Sequence, residues 1–437
     1  MKINHFKILI SILFVVTQLT TKAQQLTLNE AKAIMLSNNY GIIIQKLETD
    51  ISGLQNSAGF AGMLPTVTAE AAYNTELSNS EQQYFSGDVR SVDNAGANAL
   101  DAGVYINWTL FDGFAMFATK DKLNEFENLS QLQLKQQIET AMFNLQAMWF
   151  QLIQLKEAET VNKSNIAVST ERLNIAGGRE RLGAASRLDV LQAEVDLSAD
   201  STSLLQTQLQ LKNVKANINN LLGRSPETDF DTDEKIEIAT SLNYNDLLAK
   251  TIEANTDLQI AKNEVDIIAL GIKEYKAMLY PELNLIGGYG YLRSTSESGF
   301  VESNLNYGPS VGLTLSVPLF NGLTTTKNLQ IARIEQEKVV TTTQQIQLEL
   351  NTILLTIYNQ YTTSLYLMNL EQKNIAAAQG NVAIAIEKYN LGNITAVELR
   401  DIQQSLLQAK NRLLVETLNA KLAELQLLKL SGQLPLN

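Results

Sequence analysis

The chain repeats itself at long range, and this repeat limits the folds open to it more than any other feature. The same short motifs return at a constant spacing of 209 residues. They are Leu110-Phe111-Asp112-Gly113 and Leu319-Phe320-Asn321-Gly322, Gly183 and Gly392, and Gly223 and Gly432. A period this long exceeds that of solenoid repeats and is typical of a duplicated domain. We therefore predict an internal two-fold structural repeat, with a first copy at 24–228, an acidic linker at 229–242 and a second copy at 243–437.

A heptad seam runs along one long helix in each copy, because apolar residues recur at alternating spacings of four and three. The seam residues are Leu134, Ile138, Ala141, Leu145, Met148, Leu152 and Leu155 in the first copy, and Leu350, Leu354, Ile357, Tyr361 and Met368 in the second, where Ser364 interrupts the pattern. No proline occurs between Pro65 and Pro226 or between Pro318 and Pro435. The proline-free stretch from Asp112 to Gly178 has about 66 residues. A helix of that length would extend roughly 100 Å, which exceeds the diameter of a globular domain.

Each copy has the same predicted order: a short helix, a medium helix, two strands, the long helix, a tip turn and a return helix. The tip turns fall at about 177–187 and 389–396, and the return helices at about 188–222 and 397–430. A return helix stacked on a medium helix nearly matches the long helix in length. This arrangement suits a cylinder wall of antiparallel helices, with the short helices in a mixed belt halfway along it. An ordinary coiled-coil stalk is the alternative.

Two strands precede each long helix, at about 66–78 and 99–111 and at about 282–293 and 307–320. Apolar and polar residues alternate along them with a period of two, which indicates one apolar face. The residues assigned to that face are Val104, Ile106, Trp108, Leu110, Leu283, Leu285, Val311, Leu313, Leu315 and Val317. Tilted strands of this length can cross a bilayer, so we predict that this face contacts lipid. A small soluble sandwich that packs the same face inward is the alternative.

Four strands cannot close a membrane barrel, because the smallest such barrels need about eight. An open sheet edge cannot stay in lipid, where unpaired backbone groups find no partner. The chain must therefore oligomerise, with four strands from each subunit in one shared barrel. The polar connections at about 79–98 and 294–306 are expected to be loops that face outside.

Residues 1–23 are predicted to be a secretory signal that is removed after Ala23, because Lys2 and Lys7 precede the apolar segment 8–16. A membrane anchor is the weaker alternative, since that segment is short for a spanning helix. No later run of about 18 apolar residues occurs, so we predict no transmembrane helix.

Composition excludes several classes of function. The net charge of −12 argues against nucleic acid as a partner. Cysteine is absent and the one histidine, His5, lies in the predicted signal, so the mature chain has no thiol and no imidazole, which is the commonest general base and metal ligand. Only Ser/Lys or carboxylate chemistry would remain for a secreted hydrolase, and no motif supports either. We predict no enzyme activity, no cofactor and no metal. The acidic run 229–233 is similar to the start of a calcium loop, but Glu234 and Thr240 stand where glycine and glutamate are required.

The mature chain as a whole resembles the TolC family of outer-membrane efflux proteins. The residues that carry the resemblance are the duplicated Leu-Phe-Asp/Asn-Gly motifs, Tyr389-Asn390-Leu391-Gly392, the related segment 181–191 and the final Leu-x-Gly. The resemblance implies a mainly α membrane protein: a homotrimer with a 12-stranded β-barrel, four strands per protomer, continued by a long α-helical barrel. It further implies an exit duct in the outer membrane of a Gram-negative bacterium, extending into the periplasm and joined through a periplasmic adaptor to an inner-membrane pump. A soluble periplasmic coiled-coil adaptor or scaffold is the alternative function.

The tip turns are where such a duct could be gated. The glycines there permit backbone angles that other residues avoid. In a trimer, Glu398 and Asp401 would form two stacked rings of carboxylates, and the resemblance implies that these rings line a closed, cation-favouring aperture. The alternative is that both are ordinary acids in the first turn of a helix. We expect an adaptor to dock on the turn residues Gly183, Ala184, Ser186, Gly392 and Asn393.

The resemblance also implies links that tie the aperture shut. One is a contact between Tyr389 and Asp189. The second needs an arginine where this chain has Ile394, so Arg187 or Arg400 is a candidate replacement. We expect opening to be an iris-like untwisting of the second-copy helix pair when an adaptor docks.

Overall fold

The computed structural model describes residues 24–239, 241–298 and 300–435. The predicted secretory signal lies outside the described residues. The described chain divides into two compact units, one with residues 24–45, 134–256 and 347–435 and the other with residues 46–133 and 257–346.

Helices and strands follow one another in the same order twice. The elements of the first half are β1 (Gln24–Gln25), α1 (Leu28–Asn38), α2 (Tyr40–Gln55), β2 (Thr66–Gln83), β3 (Val89–Asp112), α3 (Ala115–Arg181) and α4 (Arg187–Leu221). Those that follow are β4 (Phe230–Asp231), α5 (Tyr244–Ala254), α6 (Thr256–Ala277), β5 (Glu282–Ser296), β6 (Ser303–Ser316), α7 (Thr324–Asn390) and α8 (Ala396–Leu430). The long helices α3 and α7 both have 67 residues, and the return helices α4 and α8 both have 35.

The predicted seams of the long helices are largely buried. Leu145, Leu152 and Leu354 are fully buried, and Ser364, which interrupts the second seam, is buried and donates a hydrogen bond to Glu416 at 3.0 Å. In the described parts of the chain, no helix is both long enough and apolar enough to cross a membrane.

One of the two units contains a four-stranded antiparallel sheet in the order β2-β3-β5-β6. Directly paired residues lie on the same face of a sheet. Trp108 pairs with Leu285 and Leu285 with Leu313, while Leu283 pairs with Leu315. The predicted apolar residues of three strands therefore share one face. Leu313 and Leu315 are about two-thirds exposed in the protomer, so no described part of the chain covers them.

The sheet differs from the prediction at Leu110 and Val317. The register of β3 shifts between Thr109 and Phe111, so Phe111, not Leu110, pairs with Leu283. Such a bulge adds one residue to a strand and cannot be read from a simple alternation. Strand β6 ends at Ser316, so Val317 lies beyond it, just before Pro318, which has no N–H for a strand ladder.

The strands also extend further into the predicted loops. Strands β2 and β3 remain paired up to Gln83 and Val89, and only residues 84–88 turn between them. Backbone hydrogen bonds hold this part of the hairpin together. Its polar side chains give no apolar alternation, which is why the sequence indicated a loop.

The segment between the two copies is packed into the other unit. Strand β4 pairs with β1, and Phe230 is completely buried, with its ring stacked on Trp149 at 5.9 Å. Two of the linker acids form ion pairs: Asp229 pairs with Lys215 at 2.8 Å, and Asp231 pairs with Lys156. Phe230 and Thr232 are therefore part of this unit's core, whereas Asp229 and Asp233 are exposed.

Candidate functional site: the helix reversals and a buried ion cluster

Two tight turns reverse the long helices. Residues 182–186 join α3 to α4, and residues 391–395 join α7 to α8. Gly183 and Gly392 have φ angles of +73° and +78°, in the left-handed region where a Cβ atom is disfavoured. The N–H of each glycine donates to the carbonyl three residues earlier, at 2.9 Å. The other predicted docking residues, Ala184, Ser186 and Asn393, are exposed in these turns.

Each return helix begins with a capping box. Asp189 accepts hydrogen bonds from the backbone N–H and hydroxyl of Ser186, at 2.9 and 2.8 Å. Glu398 accepts the matching pair from Thr395, at 2.8 and 3.1 Å. The backbone hydrogen bond, followed by that of the hydroxyl, lowers the pKa of each carboxyl below its ordinary value. Both acids therefore stabilise the start of a helix, and both stay charged at neutral pH.

Asp401 lies one turn after Glu398 on α8, exposed and outside the capping box. Residues three apart on a helix share a face. The two predicted aperture acids thus project from one side of α8, which gives that side a negative charge that attracts cations.

Among the described residues of the protomer, Tyr389 and Asp189 form no hydrogen bond with each other, and one carboxylate oxygen of Asp189 accepts both bonds from Ser186. Instead, the guanidinium of Arg179 lies 5.1 Å above the ring of Tyr389 and donates to its carbonyl oxygen at 3.4 Å. The charge of Arg179 also contributes to the lowered pKa of Asp189, after the hydrogen bonds from Ser186. Arg179 therefore stands between the two predicted link residues.

The helices α3 and α4 form one helical hairpin, and α7 and α8 form a second. Among the described residues, neither Arg187 nor the apolar Ile394 provides an ion pair between these two hairpins. Arg187 is largely exposed and lies 3.8 Å from Glu180, across its own turn. Ile394 packs against a small apolar cluster of Ala385, Tyr389 and Leu399. An apolar contact thus occupies the position where the resemblance implied an arginine.

A buried ion cluster lies further along the hairpins. It consists of Ser169 and Arg172 on α3, Asp196 and Asp200 on α4, and Arg400 on α8. Two guanidinium nitrogens of Arg400 donate to the two carboxylate oxygens of Asp200, at 2.9 and 3.1 Å, and its Nε lies 3.9 Å from Asp196.

The remaining contacts complete the cluster. Arg172 donates to Asp196, and the hydroxyl of Ser169 donates to Asp200. Burial tends to lower the pKa of Arg400, but the hydrogen bonds to Asp200, with the charges of Asp200 and Asp196, outweigh it and raise the pKa above its ordinary value. Arg400 is therefore always charged, and it joins the second hairpin to the first.

The amino-acid sequence alone did not indicate this cluster, although Arg400 was a candidate for the second link. A signal was present, because Ala193, Asp200, Thr207 and Val214 follow one another at heptad spacing and are all buried on α4. A charged residue at a core heptad position requires a buried partner. Reading the polar residues of the seam as well as the apolar ones would have singled out Asp200.

Comparisons with known proteins agree on one family. The family model described as "Outer membrane efflux protein" matches residues 45–224 and 247–433. The outer membrane efflux protein BepC of Brucella suis biovar 1 (strain 1330) is 20% identical over 337 residues, which are 76% of this chain and 72% of BepC.

Solved structures of outer-membrane proteins share the fold. The outer-membrane channel OprN is 17% identical with a TM-score of 0.78, over 93% of this chain and 89% of OprN. The outer membrane protein VceC from Vibrio cholerae is 16% identical with a TM-score of 0.75, over 93% of this chain and 96% of VceC.

Proposed function

The chain belongs to the outer membrane efflux protein family and is an outer-membrane channel of a Gram-negative bacterium; from this premise we propose that three protomers form the exit duct of a tripartite export system. The duct is a passive conduit, opened at its periplasmic tip when an adaptor and pump engage it. The soluble adaptor or scaffold, which the sequence left open, is not favoured because the family match covers both copies.

The exposed apolar face of the four-stranded sheet carries this proposal. Residues such as Val311, Leu313 and Leu315 would contact lipid on the outside of a shared barrel. Strands β2 and β6 each pair with one neighbour in the described sheet, so each has one edge available to another protomer. Three protomers contribute 12 strands and close the barrel, and closure gives the backbone N–H and C=O groups of every strand edge a hydrogen-bond partner.

The helices continue the conduit in this proposal. The long helices and the stacked shorter ones of three protomers form a 12-helix barrel, with the short helices α1 and α5 in its belt. Both halves of the chain supply one long and one return helix of equal length, 67 and 35 residues. The equal lengths support the duplication inferred from the sequence.

The gate lies at the helix reversals. Rings of Glu398 and Asp401 from three protomers line the aperture and favour cations. Tyr389 and Asp189 act through Arg179, which contacts the ring of the first and stands near the charge of the second. Arg187 holds its own turn through Glu180.

The exposed turns provide the docking surface for a periplasmic adaptor. Leu182 and Leu391 are 85% and 76% exposed at corresponding places in the two turns. Exposed leucines in both turns suit a partner that contacts the two hairpins in the same way.

A reconstitution experiment tests the proposal. The mature protein is purified in detergent, cross-linked to count its subunits and inserted into planar bilayers. We expect a trimer and discrete single-channel currents that favour cations. A folded monomer, recovery in the soluble periplasm, or a trimer without conductance would contradict the proposal.

A further inference from the structure

Strand pairing places one arginine, Arg293 on β5, on the apolar face of the sheet. Arg293 pairs with Leu100 on β3 and with Leu305 on β6. Directly paired residues share a face. Arg293 also follows Leu285 by an even number of residues along β5, with no register shift between them, so both side chains lie on one side of the strand. A cation therefore stands on the face that is proposed to contact lipid.

The row of paired residues that contains Arg293 is the last apolar row before the two turns of the sheet. It consists of Tyr73, Leu100, Arg293 and Leu305. The next row towards the turns is polar and consists of Thr75, Asn98, Thr295 and Ser303. Arg293 thus lies where the apolar face ends.

Tyrosines mark the same level of the sheet. The hydroxyl of Tyr73 donates to the side chain of Asn98 in the polar row, at 3.3 Å. In the row before that of Arg293, Tyr291 pairs with Tyr307. Tyrosines concentrate where the hydrocarbon of a membrane meets its headgroups, because one end of the side chain is apolar and the other is polar. Arg293 is therefore at the level of the headgroups, on the side of the turns that face outside in the proposed duct.

Arg293 has no counter-ion within the described part of the protomer. Its side chain is exposed and forms neither a hydrogen bond nor an ion pair with any residue that the structure describes. From the row of Leu285 to the row of Thr295, this face of the sheet has no other charged residue. Asp101, the acid next to Leu100, belongs to the opposite face. A guanidinium between two leucines at a membrane surface requires an anion from outside the chain.

We propose that Arg293 binds a phosphate group of lipid A, the phosphorylated glycolipid of the outer leaflet, while Leu100 and Leu305 contact its acyl chains; this rests on the proposed function. The planar guanidinium can donate two parallel hydrogen bonds to phosphate oxygens. Its aliphatic stem lies along the apolar face while the charged end reaches the headgroups. An arginine on a lipid face costs about 2–4 kcal/mol at the midplane but only about 0–1 kcal/mol near the interface, so this row tolerates it.

Native mass spectrometry of purified trimers with added lipid A tests the site. We expect the original protein to bind lipid A about tenfold more tightly than lipid A from which the phosphates have been removed, because hydrogen bonds between charged groups are lost. Arg293→Gln should weaken binding of phosphorylated lipid A to the same extent, and Arg293→Lys should retain part of it because the charge remains. Comparison of the two lipids on the original protein needs no variant to fold.

Arg90→Gln is the matched control. Arg90 is the other basic residue of the four strands, and it lies beyond the polar row, on the outer part of the hairpin of β2 and β3, where it donates to the carbonyl oxygen of Glu297 at 3.5 Å. Its replacement removes the same charge and should leave the binding of lipid A unchanged.

Three results would contradict the lipid site while leaving the duct intact. They are trimers that conduct but bind both lipids equally, an Arg293→Gln variant that binds lipid A like the original protein, and displacement of lipid A by excess inorganic phosphate, which would make the site one for free phosphate. If the original protein forms no trimer, the proposed function fails and the lipid site fails with it.

Discussion

At the scale of the single residue, the capping role of Glu398 is observed and its role in an aperture is proposed. Its carboxylate completes the capping box with Thr395, which explains why an acid stands at the third position of α8. The same carboxylate is exposed and remains charged, so it can also face an aperture. From the sequence, Glu398 was either an ordinary acid in the first turn of a helix or a member of a carboxylate ring. The structure makes these two interpretations compatible. Asp401 has no part in the cap.

This distinction predicts how cation preference depends on pH. In the Asp401→Asn variant only the Glu398 ring remains, and the cap holds the pKa of Glu398 below its ordinary value of 4.5. The preference for cations should be reduced but should persist at pH 4.5, because a carboxylate with a lowered pKa is still mostly ionised there. Reversal potentials in a salt gradient, recorded at pH 7 and pH 4.5, measure the cation preference of this variant.

Two further variants control this experiment. Glu398→Gln keeps an acceptor for the cap but removes the charge, so in the Asp401→Asn background it should abolish the remaining preference. Glu194→Gln removes an exposed acid from α4 and should change nothing. An unaltered cation preference in the double variant would exclude both acids from the aperture.

The residues of the candidate site were only partly predictable from the sequence. The glycines and the pair Asp189 and Glu398 could be found because they recur at 209 residues, and a capping box has a local signature. The contact of Arg179 with Tyr389 and that of Arg400 with Asp200 join residues about 200 positions apart, and no local pattern indicates them. Pairing of this kind depends on how two hairpins pack together, which a single sequence does not specify.

Elements were predictable wherever a period governed them. The heptad spacing of apolar residues predicted the long helices, and the alternation with a period of two predicted the apolar face of the sheet. The strand ends and the bulge at Leu110 were not predictable, because polar strand ends are held by backbone hydrogen bonds and a bulge adds a residue without changing composition. Polar layers in the helix pairs, such as Asn162 with Thr207 at 3.0 Å, also interrupt the apolar period. They fix the register of a pair at some cost in stability.

A charge on the apolar face of β6 tests the assignment of the whole sheet. Leu315→Arg should cost about 2–4 kcal/mol if this residue lies near the bilayer midplane. Thr314→Arg places the same charge one residue earlier, on the opposite face of the same strand, and should cost much less. The yield of trimers in the outer membrane measures both. Equal yields for the two variants would mean that Leu315 does not face lipid.

At the scale of the whole molecule, residues 229–234 of the segment that joins the two copies pack against their own unit. Phe230 is held between the ring of Trp149 and the cations Arg224 and Lys215, whose charges lie 5.0 and 5.6 Å from its ring. Glu234 accepts a hydrogen bond from the indole of Trp149 at 2.6 Å and another from the N–H of Leu28. The joining segment thus binds the start of the first copy to its long helix.

Removing the Phe230 ring should therefore destabilise the unit that contains the two helix reversals, although Phe230 is distant from them in sequence. Phe230→Ala should cost about 3–5 kcal/mol in each protomer, because it leaves a cavity beside Trp149 and removes the ring from two cations. Asp233→Ala alters an exposed residue of the same segment and should stay within about 0.5 kcal/mol of the original protein. The helical circular dichroism signal, followed against denaturant in detergent, compares the two. If both variants unfold at the same denaturant concentration, the segment does not contribute to the core and acts only as a connection between the copies.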